Sequence, residues 1–149
     1  MQNNIYTIGF TKKSAEEFFD LLIKNDIDLL LDIRLNNKSQ LAGFAKGRDL
    51  QYFCRVIANI KYKHDLLFAP TKELLDGYKK KHIQWDEYVD IYKRLMNERE
   101  YSIRYISEYK NRGLNICLLC SESEADQCHR RLLAEFISED CGELSIIHL

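Results

Sequence analysis

The stretch Asp28-Leu29-Leu30-Leu31-Asp32-Ile33 decides the fold of this chain, because it is a nearly continuous apolar run. Runs of this kind are typical of strands that are buried on both faces of a parallel sheet. Upstream of it, Ile5-Tyr6-Thr7-Ile8 is a shorter apolar run that ends at Gly9, and Ser14-Ala15-Glu16-Glu17 has the pattern of a capping box at a helix start. A strand, a capped helix and a buried strand in this order predict a βαβ unit.

The same patterns continue along the rest of the chain. Further strands are predicted over residues 60–64, 114–119 and 144–149, and helices from about residue 70 and over 126–141. Three sets of residues at helical spacing are interpreted as inward-facing core positions: Leu50, Phe53, Val56 and Ile57, with Asp49 as the helix cap; Trp85, Tyr88, Ile91, Tyr92 and Leu95; and Ile103, Ile106 and Tyr109. The sequence therefore predicts one domain over 1–149 with a three-layer α/β fold. Its mostly parallel sheet has about five strands with helices on both faces, and a helical excursion covers about 71–112.

The composition is that of an ordinary globular protein, with 46% hydrophobic and 30% charged residues among 149. No apolar run approaches the roughly 20 residues that a membrane span needs. Residues 1–5 show no basic region followed by an apolar one, so we do not expect secretion. Five cysteines without regular spacing do not indicate a disulfide framework, so we expect a reducing, cytoplasmic location.

The net charge of −1 is unevenly distributed along the chain. Residues 34–63 carry seven Lys or Arg against one Asp, a net charge of +6. Residues 120–149 carry two Arg against seven acidic residues, a net charge of −5. The basic segment indicates either an anionic ligand or an ordinary solvated surface.

Polar residues follow three of the predicted strands where these strands end. They are Gly9-Phe10-Thr11, Asp32-Ile33-Arg34 and Cys120-Ser121-Glu122. Because ligands bind beyond the carboxyl ends of parallel strands, we expect these three segments to meet at one edge of the sheet and to form a site there.

The segment that begins at Cys120 combines thiols, carboxylates, an imidazole and guanidinium groups. Cys120 can act as a nucleophile if a helix N-terminus or its neighbours lower its pKa, or it can simply fill the strand end as a buried cysteine. Glu122 and His129 can move protons. Arg130 can bind a phosphate or carboxylate, or it can form an ordinary ion pair on the helix surface.

Backbone geometry limits how these residues can cooperate. About 100° separates successive helix residues, so Cys128, His129 and Arg130 cannot all face one ligand, and at least one of them is structural. Cys117 and Cys120 lie three apart in a strand and face opposite sides, which excludes them as a redox pair. A bound metal is not favoured because the spacing matches no familiar zinc pattern; if one is bound, we expect Cys120, Cys128 and His129 as its ligands.

The loop over residues 34–48 is the second informative segment. Arg34, Ser39 and Lys46 stand there among glycines and amides, a mixture that suits a phosphate or a nucleotide. Phe44 can stack on a base. The alternative interpretation is an ordinary polar connection.

Several motifs together carry a family resemblance. They are Ile5-Tyr6-Thr7-Ile8-Gly9, Leu31-Asp32-Ile33-Arg34, Ser39 with Gly43-Phe44, Tyr62-Lys63-His64 and, most specifically, Cys120-x-Glu122 followed by Cys128-His129-Arg130. The chain resembles, over essentially its full length, the bacterial and archaeal family catalogued as domain of unknown function 488. The resemblance implies a cytosolic α/β protein and supplies no established reaction. Where the family often has Ile-Gly-His-Ser this chain has Ile8-Gly9-Phe10-Thr11, so any role of that histidine is absent or is taken by His64.

We expect an enzyme or ligand-binding protein for a small anionic, nucleotide-like molecule, with thiol-dependent chemistry. The expected catalytic residues are Cys120, Glu122 and His129, and the expected ligand-binding residues are Arg34, Asp32, Ser39, Lys46, Arg130 and His64. One alternative is a module that binds nucleic acid or a partner through the basic 34–63 segment, and another is a metal-binding protein. No membrane partner is expected, and the cofactor and oligomeric state stay open.

Overall fold

The computed structural model of the chain describes residues 4–38, 43–121 and 127–149. Two residues that the sequence predicts for the site, Ser39 and Glu122, lie outside this part of the chain. Asp126, at the predicted start of the last helix, lies outside it as well.

The described residues form one sheet of five strands. The strands are β1 (Asn4–Gly9), β2 (Leu29–Asp32), β3 (Lys61–His64), β4 (Ile116–Cys120) and β5 (Ser145–His148). Their order across the sheet is β3-β2-β4-β1-β5, and every neighbouring pair is parallel. The predicted α/β fold with a sheet of five strands is confirmed, and β4 lies at its centre between β1 and β2.

Helices lie on both faces of this sheet. They are α1 (Ala15–Lys24), α2 (Gly47–Phe53), α3 (Lys72–Lys79), α4 (Trp85–Glu98), α5 (Tyr101–Glu108) and α6 (His129–Asp140). The run from α3 to α5 is the predicted helical excursion. Among the described helices, none is both long enough and apolar enough to span a membrane.

Two hydrophobic clusters explain the continuous apolar runs of the central strands. Leu31 and Leu118 belong to a cluster that includes side chains of α4, α5 and α6. Their chain neighbours Leu30 and Leu119 belong to a second cluster with side chains of α1 and α2. Because successive strand residues point to opposite faces, a strand that is covered on both sides is apolar at nearly every position, and the buried Asp32 at the end of β2 is paired with Arg34.

The predicted capping box at the first helix is present. Ser14 is the N-cap of α1, its hydroxyl accepts a hydrogen bond from the Glu17 amide at 3.1 Å, and the Glu17 carboxylate accepts from the Ser14 amide at 3.4 Å. The reciprocal bonds satisfy two amides that have no partner inside the helix. This cap fixes where the chain enters the helix after β1.

The predicted helix cap Asp49 is wrong, because α2 begins at Gly47 and Asp49 lies inside its first turn. The chain then continues as a π-helical segment over Cys54–Ala58. The wider turn of a π-helix changes the direction in which later side chains point. Val56 and Ile57, for which the sequence predicts an inward position, are accordingly 56% and 52% exposed.

The inward face of α5 also differs from its prediction. The sequence predicts that Ile103 packs inward, but it is 65% exposed, whereas Tyr101 and Tyr105 are buried. The Tyr101 hydroxyl donates to the Phe136 carbonyl at 2.9 Å, and a buried tyrosine needs such a partner. Spacings of three and of four both follow one helix face, so the sequence pattern alone does not select the tyrosine face.

Candidate functional site

The three polar strand ends meet at the carboxyl edge of the sheet. In the strand register Gly9 pairs with Cys120, and Asp32 pairs with Leu119. The amide and hydroxyl of Thr11 both donate to the Ser121 carbonyl, at 3.1 and 2.8 Å. The order of the strands therefore brings the segments that follow β1, β2 and β4 to one place, as the sequence predicts.

Two thiols and an imidazole converge where β4 ends and α6 begins. Cys120 is the last residue of β4, Cys128 is the N-cap of α6, and His129 is the first residue of that helix. The Cys120 Sγ lies 3.6 Å from His129 Nδ1, and the other ring nitrogen lies 2.8 Å from the Ile33 carbonyl. The imidazole is thus held between the backbone after β2 and the thiol at the end of β4.

The two thiols have opposite protonation tendencies. A hydrogen bond from the Cys128 thiol lowers the pKa of Cys120 well below its usual value; burial opposes this effect, and His129 adds to it. The same contact raises the pKa of Cys128 well above its usual value. Burial is the largest single effect and lowers the pKa of His129, but the Cys120 sulfur and the Ile33 carbonyl together raise it, and the net direction is upward. The arrangement favours a Cys120 thiolate beside a Cys128 thiol and an imidazolium.

These groups form the floor of a cleft of about 330 Å³. Aromatic and apolar walls surround the floor, and they comprise Phe10, Leu35, Pro70, Leu75, Tyr78, Trp85 and Tyr88. Trp85 and Tyr88 are stacked, with ring centroids 5.2 Å apart and planes at 11°. Two cationic side chains, Arg34 and Lys79, also line the cleft. Its size and lining are typical of a small-molecule site.

Arg34 is fixed in the cleft wall by a buried ion pair. Its Nε donates to Asp32 Oδ1 at 2.8 Å and its Nη2 to Asp32 Oδ2 at 2.6 Å, a bidentate arrangement. The Tyr62 hydroxyl donates to the same carboxylate at 2.5 Å. No acceptor among the described residues lies within hydrogen-bond distance of the buried Nη1. Arg34 therefore has a donor left for a further acceptor.

Four other residues that the sequence predicts for ligand binding are not part of the cleft lining. Asp32 and His64 do not line the cleft; Asp32 holds the Arg34 side chain, and His64 Nε2 lies 2.6 Å from the Arg34 carbonyl. Lys46 precedes α2 and is not part of the cleft lining either. Arg130 is buried and absent from that lining.

The position expected to stack on a base is also outside the cleft. The ring of Phe44 packs against those of Phe18 and Phe19, with centroids 5.3 and 6.1 Å apart. Phe44 thus contributes to the cluster on the α1 side of the sheet. Cys117 belongs to the same cluster, whereas Cys120 lines the cleft, as expected for two strand residues three apart.

Comparison with known proteins identifies the family of this chain. The family model described as "Domain of unknown function DUF488" matches residues 14–137, which include Arg34, Cys120 and His129. The chain belongs to the DUF488 family. No curated protein and no solved structure matches it.

Sequence reasoning missed the aromatic wall of the DUF488 cleft. The helical spacing of Trp85 and Tyr88 predicts core residues, and this is confirmed, because Tyr88 belongs to the core cluster and Trp85 packs against it. Both rings, together with that of Tyr78, also border the cleft. Helical spacing identifies the inward face of a helix but not which part of that face meets a cavity. Only the packing of α3 and α4 against the strand ends decides this.

A second groove of about 730 Å³ lies beside β3, away from the cleft. Its lining includes Arg48, Arg55 and Lys61, opposed by the single acidic residue Asp28. The Arg55 guanidinium lies over the exposed ring of Tyr52, 5.5 Å from its centroid. Three of the seven Lys or Arg residues of the basic 34–63 segment line this groove.

Within the described residues, Cys120, Cys128 and His129 form the one cluster that could hold a metal ion. Their ligand atoms lie within 4.8 Å of one another. The hydrogen bond of His129 to the Ile33 carbonyl resembles the outer contact that orients many metal-binding histidines. The set offers two sulfurs and one nitrogen, which suits zinc better than magnesium or calcium.

Proposed function

We propose that this DUF488 protein is a thiol-dependent enzyme that acts on a small anionic molecule bound in the cleft. Cys120 is the nucleophile, and His129 stabilises its thiolate. The observation that carries the proposal is the 3.6 Å contact between Cys120 Sγ and His129 Nδ1 on the floor of a cleft.

The hydrogen-bond partners of His129 indicate which of its two ring nitrogens carries a hydrogen. The Ile33 carbonyl can only accept, so the ring nitrogen 2.8 Å away carries a hydrogen. The second nitrogen then faces the thiol and can take its proton. A cysteine that is paired with a histidine in this way is a common form of activated nucleophile.

The walls of the cleft indicate the kind of substrate. Arg34 and Lys79 supply positive charge, and the stacked Trp85 and Tyr88 supply a flat apolar surface. A molecule that combines an anionic group with a planar portion satisfies both features, as in the nucleotide-like ligand expected from the sequence. The same proposal includes Glu122 as a residue that transfers protons, and it places the protein in the cytoplasm.

Alkylation with a neutral and an anionic reagent tests this function. We expect iodoacetamide at about pH 7 to modify Cys120 first, because burial raises the pKa of the other core thiols, to about 12 for Cys54 and about 11 for Cys141. Peptide mapping identifies the modified cysteine. Cys120→Ser should remove the fast reaction, whereas Cys141→Ser should keep it.

The role of the cleft cations has its own control in the same assay. Lys79→Ala should slow modification by anionic iodoacetate more than by neutral iodoacetamide, and Lys80→Ala, also exposed but outside the cleft lining, should change neither. If Cys120 is modified no faster than the other cysteines, the proposed function is wrong.

A metal site is the competing candidate, favoured by the three ligand atoms within 4.8 Å. A bound zinc ion would protect Cys120 from iodoacetamide until a chelator is added. Elemental analysis of protein purified without chelator, compared with the Cys128→Ser variant, decides between the two. Stoichiometric metal that this variant loses would favour the metal site.

The basic groove beside β3 supports a second function, the binding of nucleic acid. Three cations line it, and the exposed ring of Tyr52 could stack on a base. The net charge of −1 makes strong binding unexpected, since domains of this class are usually basic.

A further inference from the structure

The cleft contains a second thiol that a simple nucleophile does not need. Cys128 and Cys120 both line the cleft, they are 4% and 5% exposed, and their sulfur atoms lie within 4.8 Å of each other. The remaining thiols lie elsewhere, with Cys54 and Cys117 in the cluster on the α1 side and Cys141 at the opposite end of α6. Two thiols therefore lie side by side in the lining of the cleft.

The proximity of the two sulfur atoms is consistent with a pair that can form a disulfide. Cys120 ends β4, and Cys128 precedes α6 with an extended backbone, φ −134° and ψ 141°. The two sulfur atoms lie within 4.8 Å of each other, and a disulfide requires them to approach to a bond length of about 2.05 Å. All five cysteines are free thiols in this structure, so the pair is in its reduced form.

We propose that Cys120 and Cys128 form a catalytic dithiol that reduces a small anionic molecule by two electrons, with Cys120 as the attacking and Cys128 as the resolving cysteine. The inference rests on the proposed function, because it uses the same nucleophile. The substrate class is a molecule with a weak bond to sulfur or oxygen, a disulfide, persulfide or peroxide.

The steps balance as thiol exchange. The Cys120 thiolate attacks one atom of the weak bond, the other atom leaves with the electron pair and takes a proton, and a covalent adduct remains on Cys120. The Cys128 thiol then loses its proton, and its sulfur attacks the Cys120 sulfur. The second half of the substrate leaves as a thiolate or hydroxide, and a Cys120–Cys128 disulfide remains. An external thiol reductant returns both cysteines to the reduced form by two exchanges.

The contacts of Cys128 explain the order of these steps. While Cys120 is a thiolate, its negative charge within 4.8 Å of the Cys128 sulfur disfavours a second thiolate there. Once Cys120 carries an adduct, its negative charge is gone and this constraint is removed. The Arg130 amide, which hydrogen-bonds to the Cys128 sulfur, and the N-terminus of α6 then stabilise the Cys128 thiolate.

Dithiobis-nitrobenzoate, an anionic aryl disulfide, is the probe that tests the pair. We expect the full-length chain to release two equivalents of nitrothiobenzoate rapidly and to end with a mass that is lower by two hydrogens, mapped as a Cys120–Cys128 disulfide. Cys128→Ser should release one equivalent and keep the adduct on Cys120. Cys120→Ser should react at least about tenfold more slowly, and Cys141→Ser should behave as the parent.

A parallel reaction with hydrogen peroxide distinguishes sulfur substrates, a disulfide or persulfide, from peroxides. A disulfide formed with the aryl disulfide alone assigns sulfur substrates, and one formed with both probes includes peroxides. A stable adduct on Cys120 with Cys128 still a free thiol would overturn the inference, even if fast alkylation of Cys120 upholds the proposed function. Slow reaction of Cys120 with every reagent would overturn both.

Discussion

His129 shows how single contacts determine chemistry at the residue scale. One ring nitrogen bonds to a backbone carbonyl and the other faces a sulfur, so the side chain cannot rotate without losing both contacts. Its charge helps to keep the pKa of Cys120 below the usual value. The reactivity of Cys120 at neutral pH should therefore depend on His129.

Replacement of His129 by Gln tests this dependence. Gln can still donate to the Ile33 carbonyl, but it carries no charge, so the pKa of Cys120 should rise. The thiolate is present above the pKa of Cys120 and is lost as the pH falls below it. The midpoint of iodoacetamide reactivity against pH should therefore move upward. Once this midpoint lies above neutral pH, every further rise by one pH unit should slow the reaction at neutral pH about tenfold.

His82 provides the matched control for this experiment, because it is exposed and does not line the cleft. His82→Gln should leave the pH profile of Cys120 unchanged. Profiles of the His129 variant and the parent protein that coincide would show that the imidazole does not stabilise the thiolate.

Asp32 and Arg34 show what a sequence pattern can and cannot assign to a residue. Their spacing at the end of β2 predicts that both lie at the site edge. It does not predict that both Arg34 and Tyr62 donate hydrogen bonds to the Asp32 carboxylate. Nor does it predict that Arg34 keeps its Nη1 as a donor for a further acceptor. The division depends on Tyr62, which reaches the carboxylate from the neighbouring strand β3.

At the scale of elements, the strands were easier to predict than the inward faces of the helices. A strand that is covered on both sides is apolar along most of its length. This signal is visible within β2 and within β4, without reference to any other element. The faces of α2 and α5 depend on how each helix is rotated against its neighbours. The π-helical segment after α2 changes that rotation without a mark in the apolar pattern.

The corrected face of α5 leads to a prediction on stability. Tyr105 is 3% exposed and Ile103 is 65% exposed. Tyr105→Ala should lower the free energy of unfolding by about 3–5 kcal/mol through loss of buried area and a cavity. Ile103→Ala should change it by less than about 0.5 kcal/mol. Urea unfolding measures both, and a larger cost at Ile103 would contradict the assigned face.

At the scale of the whole molecule, three cations of the basic 34–63 segment line one groove. Arg48 and Arg55 come from the region of α2, and Lys61 comes from the edge strand β3. The groove is separate in its lining from the cleft at the strand ends. Binding of nucleic acid and thiol chemistry can therefore be tested independently.

A gel-shift titration with a single-stranded oligonucleotide tests the groove. We expect weak retention at low salt that falls steeply as salt rises, because each phosphate contact releases counterions. Arg55→Ala should make the logarithmic salt slope shallower by about 0.7, the value for one contact to single-stranded nucleic acid. Lys72→Ala, exposed on α3 outside the groove, should not change it. An absence of retention at low salt would remove this function.

The sequence by itself determined the α/β fold and the edge of the sheet at which the site lies. Both follow from local signals, since buried strands are apolar throughout and the carboxyl ends of parallel strands share one edge. Only the tertiary structure decided which side chains share the cleft. It placed Cys128 and His129 beside Cys120 and buried Arg130 elsewhere, and it added the aromatic wall of Tyr78, Trp85 and Tyr88. The reason is that the geometry of these contacts depends on how helices pack across the strand ends, which the local sequence pattern does not specify.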